Sequence, residues 1–175
     1  MYLRGILSIS EVNALSPEQF EWLFGNVVEH HPNAAQQVAS MRPFTSVRHL
    51  KNSFYEYLEK LDSNGKENLL LRYPDLPGKY AEGLATIDSE FERENVPLQI
   101  MSKEEKQLLG SYNNLYKEKF RFPFVICISK NEVQTILSSI QIRLQNTRHN
   151  ELNVGIHEVK KICNNRIDDL IWSDV

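Results

Sequence analysis

Apolar residues in this chain recur every three to four positions over long stretches, and almost nowhere at every second position. In "SPEQFEWLFGNVVEH" (residues 16–30), Phe20, Leu23, Phe24, Val27 and Val28 fall on one helical face. Ser16, Pro17 and Gln19 form a start signal there, a capping box with proline in the first helical turn. In "SVRHLKNSFYEYLEKL" (46–61), Val47, Leu50, Phe54, Tyr57, Leu58 and Leu61 keep the helical period, and Asn64-Gly65 is the expected stop. "SKEEKQLLGSYNNLYKEKF" (102–120) opens with a second capping box, Ser102 and Glu105, and Leu108, Leu109, Tyr112, Leu115, Tyr116 and Phe120 line one side. "NEVQTILSSIQIRLQN" (131–146) and "ELNVGIHEVKKICNNRIDDLI" (151–171) are further amphipathic helices.

Two stretches interrupt this rhythm. Residues 73–99 are rich in proline and glycine, and "FRFPFVICIS" (120–129) is apolar, β-branched and broken by Pro123. With no partner strand in sight, the second reads as a buried extended connection between helices. Irregular backbone must find hydrogen-bond partners, and a ligand is one such partner, so both stretches are candidate site walls. The pattern predicts an all-α fold, a multi-helix bundle forming a single domain over residues 1–175.

Composition narrows the function classes. A net charge of −3, with both signs interspersed, gives no footprint for nucleic acid. No run approaches the ~20 apolar residues of a membrane span, and the N-terminus lacks the long apolar core of a signal peptide. Two cysteines without a disulfide framework fit an intracellular, reducing place, cytoplasmic or peroxisomal, although the tail "WSDV" carries no peroxisomal signal. Cys127 and Cys163 stand in apolar flanks and read as buried structural thiols. No metal-ligand spacing occurs among the cysteines and five histidines, so no metal site is expected. His30-His31 before Pro32 read as a helix end, where histidine suits the dipole.

The segment "ENLLLRYPDLPGK" (67–79) raises the sharpest question. Leucines close a buried helix, and Pro74 forces Tyr73 out of it. This segment belongs to a set: "EHHPNAAQQVASMRPF" (29–44), "YPDLPGK" (73–79), "TIDSEFER" (86–93), "FRFPFVICI" (120–128), "RLQN" (143–146) and "EVKKICNNRIDDLI" (158–171). In that order and spacing the set resembles the 2-oxo-4-hydroxy-4-carboxy-5-ureidoimidazoline (OHCU) decarboxylase family.

The resemblance implies an all-helical homodimer without metal or organic cofactor. It implies a ureidoimidazoline or related anionic ligand, and a reaction that removes a ring carboxylate and then protonates the ring from one face, giving (S)-allantoin in urate breakdown. The family's His-Pro-Asp/Glu-Leu motif, whose histidine transfers the proton, falls on Tyr73, Pro74, Asp75 and Leu76. Its Ser-x-x-Glu-Gln motif falls on Ser89, Glu92 and Arg93, with arginine where glutamine is usual. Its Phe-Gly-Phe-Pro-Phe segment, whose backbone meets the substrate ring, falls on Phe122, Pro123 and Phe124, followed by Val125 and Ile126, with Arg121 in place of the glycine. Arg143, in the Arg-Leu-x-Asn segment, is the implied partner of a substrate carboxylate. The implied catalytic pair is therefore Tyr73 and Glu92.

Tyrosine changes the chemistry at the histidine position. A phenol, with a reference pKa of about 10, is neutral at pH 7 and can donate but not readily accept a proton. Three outcomes stay open: a slower decarboxylase, a proton from another group, or a homologue that binds a ligand or a protein partner without turnover. Arg93 and Arg121 either fill the pocket or favour a more anionic ligand.

Overall fold

A computed structural model of the chain describes residues 5–76, 101–128 and 133–172. The predicted all-α class holds. Among the described residues, eight helices follow one another: α1 Ile9–Ala14, α2 Pro17–Phe24, α3 Pro32–Ala39, α4 Val47–Lys60, α5 Ser63–Leu70, α6 Lys103–Phe120, α7 Val133–Arg143 and α8 Arg148–Leu170. The one β feature described is an isolated parallel bridge between Leu7 and Ile171. The chain divides into two compact units, Met1–Asp62 with Val159–Val175, and Ser63–Glu158.

In the first unit the predicted start signal of α2 forms: the Ser16 side chain accepts from Gln19 N–H while Gln19 reaches back to Ser16 N–H. α1 carries the same device from Ser8 and Glu11. Phe20, Phe24, Leu50, Phe54 and Leu58 are fully buried between α2 and α4. A buried ion pair joins Arg166 to Glu29 at 2.7 Å in the same unit.

Two boundaries depart from the sequence pattern. α2 stops at Phe24 instead of running to residue 30. The Asn26 side chain accepts from the backbone N–H of His30, a local bond that competes with the helix, and His30 takes a left-handed φ of 50°. His31 then becomes the N-cap of α3, with Pro32 in its first turn. The histidine pair thus precedes the positive end of a helix, the opposite of the favourable end expected for it. Asn64-Gly65 does not end α4 either. Leu61, in extended geometry, does so, and Asn64-Gly65 open α5, where the first turn tolerates weak helix formers.

In the second unit, α6 starts with the predicted Ser102–Glu105 capping box. Its buried stripe is Leu109, Asn113, Tyr116 and Phe120. Leu108 and Leu115, each one position off that stripe, are exposed, contrary to the expected face. Cys127 and Cys163 are buried free thiols, as their flanks suggested. Burial pushes the Cys163 thiol up to about 12.

Candidate active site

The second unit holds a cleft built at the meeting of two helix ends. α5 ends on Leu69 and Leu70, both fully buried. Leu70 sits so close to Gly155 of α8 that a Cβ there would lie 2.8 Å from Leu70 Cδ1. The chain then turns tightly, with Arg72 N–H donating to Leu69 O and Tyr73 N–H to Leu70 O. This turn swings Tyr73 inward, where it is 3% exposed, while Leu71 stays half exposed.

The other wall is the C-terminal end of α6 and the run after it. Arg121 caps α6 in the left-handed conformation, φ 65° and ψ 19°, its N–H donating to Lys117 O. Glycine takes this geometry without penalty; an L side chain there costs about 1 kcal/mol. After it, residues 122–127 are buried and form neither helix nor strand. Phe120, Phe122 and Phe124 gather around Tyr116, at centroid distances of 4.6, 6.1 and 5.1 Å.

A buried polar network holds that run in place. Arg143 Nη1 donates to Val125 O at 2.8 Å, and its Nε and Nη2 both meet Glu151 Oε1 at 2.6 Å. The guanidinium lies 4.4 Å above the Phe124 ring. Tyr116 Oη donates to the same carboxylate at 2.5 Å, and Asn146 Nδ2 donates to Glu151 Oε2 at 2.7 Å. Burial raises the Tyr116 hydroxyl far above its ordinary range, so it stays a donor at any working pH. Further on, Cys127 N–H donates to Glu158 Oε2 at 2.9 Å.

The cleft itself has a volume of about 420 Å³ and is lined by Leu71, Tyr73, Asp75, Lys117, Arg121, Phe122 and Pro123. That volume falls in the range of small-molecule sites, roughly 300–1,000 Å³. Lys117 Nζ is ion-paired with Asp75 Oδ2. Asp75 Oδ1 is buried and, among the described residues, has no hydrogen-bond partner. A buried acceptor left unmatched costs on the order of 1–3 kcal/mol, and a ligand N–H relieves that cost.

The sequence-predicted residues therefore divide. Tyr73, Phe122 and Pro123 share the cleft wall, joined by Arg121. Pro74, next to Tyr73 in the chain, is not among the lining residues. Phe124, Val125 and Ile126 are buried as the body of the run after Arg121. Ser89, Glu92 and Arg93 lie outside the described residues. Arg143 was expected to meet a carboxylate and does, but the carboxylate is the chain's own Glu151; it is not among the lining residues. Asp75 and Lys117 line the cleft without having been assigned a role from sequence. Asp75 lay inside the matched motif, and Lys117 stands one helical turn before Arg121, which was the available signal. Among the described residues, no cluster of His, Cys, Asp or Glu has the geometry of a metal site, and no helix is long and apolar enough to cross a membrane.

Comparison with known proteins points one way. The family profile described as OHCU decarboxylase matches residues 13–168. The chain is similar to the 2-oxo-4-hydroxy-4-carboxy-5-ureidoimidazoline decarboxylase of Xenopus laevis, with 40% identity over 169 residues covering 96% of this chain and 97% of that one. The protein of the same name from Amia calva is 37% identical over 166 residues, covering 94% and 95%. Among solved structures, the fold matches an (S)-allantoin synthase with a TM-score of 0.75 at 19% identity, over 92% of this chain and 53% of that one. It also matches an OHCU decarboxylase crystallised in the presence of (S)-allantoin, with a TM-score of 0.65 at 20% identity, over 87% and 96%.

Proposed function

The chain belongs to the OHCU decarboxylase family, and from that premise we propose that it converts OHCU to (S)-allantoin and carbon dioxide in urate breakdown, in the cleft lined by Tyr73. The observation that carries this reading is the convergence of the Tyr73 turn and the Phe122-Pro123 run on one cavity of suitable size. The unmatched Asp75 Oδ1 supports it further, because a ureidoimidazoline is rich in N–H donors.

In this reaction the bond between the ring carbon and the carboxylate breaks. The electron pair passes into the adjacent carbon–nitrogen double bond of the ring, the hydroxyl on the carbon that lost carbon dioxide gives up its proton to become the ring carbonyl, and one proton joins the neighbouring ureido-bearing carbon from one face. The substrate supplies its own electron sink, so no cofactor is part of the proposal. The protein's tasks are to hold the ring, stabilise charge as it spreads, and present one donor. Tyr73 is the donor in this reading, with Glu92 and Ser89 orienting the substrate. Arg143 acts at a distance: it fixes Val125 and so the run against which the ring rests. The same reading carries a homodimer and an intracellular compartment.

The test is to mix purified protein with freshly generated OHCU and follow the circular dichroism of (S)-allantoin. Formation of one enantiomer faster than the spontaneous reaction is expected. No acceleration at any protein concentration contradicts the proposal and favours a homologue that binds without turnover, the reading that Tyr73 at the histidine position keeps in play.

A further inference from the structure

We propose that Arg121 is a specificity residue of this cleft, one that selects ligands carrying a carboxylate over neutral analogues. The inference rests on the cleft being the ligand site, and deepens that reading.

Three observations carry it. Arg121 lines the cleft wall beside Tyr73, at the end of α6. Its backbone sits at φ 65°, where glycine costs less, so the chain keeps a cation here at the expense of stability. The charges around the cleft also do not cancel. Asp75 and Lys117 neutralise each other as a pair, whereas Arg121 has, among the described residues, no ion-pair partner. The described part of the lining therefore carries one net positive charge, which matches a ligand with a single carboxylate. Cations in a last helical turn also complement the helix dipole. Lys117 and Lys119 already serve that purpose on α6, and neither requires a strained backbone.

The selection acts on binding more than on chemistry. A cation paired with a carboxylate stabilises the charge that decarboxylation disperses, so it favours the bound substrate rather than the transition state. Once carbon dioxide leaves, the product is neutral and loses that attraction, which favours its release.

The experiment uses two non-reacting probes, hydantoin-5-acetic acid and neutral hydantoin, titrated against wild type, Arg121→Gln and Arg121→Lys, alongside OHCU turnover. Wild type is expected to prefer the anionic probe by about two- to five-fold at low salt, the size of an exposed ion pair. The preference shrinks as salt rises, disappears in Arg121→Gln, and survives in part in Arg121→Lys. For OHCU, the loss in Arg121→Gln appears in KM rather than kcat. If turnover persists and Arg121→Gln keeps the full preference, the inference fails and the decarboxylase reading stands. If wild type neither binds a probe nor turns over OHCU, the reading of the cleft fails and the inference with it.

Discussion

At the scale of single residues, the informative positions are those where a motif expected from the resemblance carries another residue. Arg121 could be read from the motif as a misfit, and the glycine expected at its position, just past the 102–120 helix, was the one signal of its left-handed backbone. Arg121→Gly is expected to raise stability slightly, by up to about 1 kcal/mol, since relief of the left-handed strain is partly offset by the greater freedom of glycine in the unfolded chain. Chemical denaturation checks it; a clear loss of stability would show that the arginine side chain makes a contact worth more than the strain. Arg143 teaches the reverse lesson. Its residue type pointed to a carboxylate, but sequence alone cannot tell an internal carboxylate from a bound one. Glu151, only eight positions away, was the partner.

At the scale of elements, capped helix starts were legible and helix ends only in part: those of α5 and α6 fall where expected, those of α2 and α4 do not. Ser16–Gln19 and Ser102–Glu105 could be read directly because a capping box is a local pattern. The end of α2 depends on the Asn26 side chain reaching His30, and the α4–α5 break depends on the backbone at Leu61; both are settled by geometry rather than by a stop residue. The run after α6 was legible as an interruption, but the network that holds it was not, since Tyr116, Val125, Arg143 and Glu151 come from separate segments. Removing one partner of that buried pair leaves the other charge stranded. Glu151→Ala is therefore expected to destabilise the fold by about 3–5 kcal/mol in denaturant unfolding. A loss below about 1 kcal/mol would mean that Arg143 finds other company. Gly155→Val is expected to cost about 1–3 kcal/mol by driving Leu70 from its place and to disturb the Tyr73 turn, lowering turnover as well as the melting temperature.

At the scale of the whole molecule, the helical class followed from periodicity, because a period near 3.6 repeated over most of the chain admits little else. The division into two compact units did not, since α8 contributes to both and its pattern runs on without a break. Cys163 offers a probe of global opening. Its thiol, pushed up to about 12 by burial, stays protonated in the fold while the unfolded thiol ionises near its ordinary value. A group raised in this way stabilises the fold below the unfolded pKa and loses that contribution as pH climbs through the folded one. Stability should thus fall between about pH 9 and 12, and thiol-reactive dye should label Cys163 only in denaturant; rapid labelling of the native protein at pH 8 would contradict its burial. The claim on which the rest depends is that this cleft decarboxylates OHCU with Tyr73 as the donor. The most direct test compares wild type, Tyr73→Phe and Tyr73→His by the rate at which OHCU yields (S)-allantoin. The expected result is turnover by wild type, a loss of about 10²-fold or more in Tyr73→Phe, and activity at least at the wild-type level in Tyr73→His. Full activity in Tyr73→Phe would place the proton elsewhere, and inactivity of all three would make the protein a binder of its ligand rather than an enzyme acting on it.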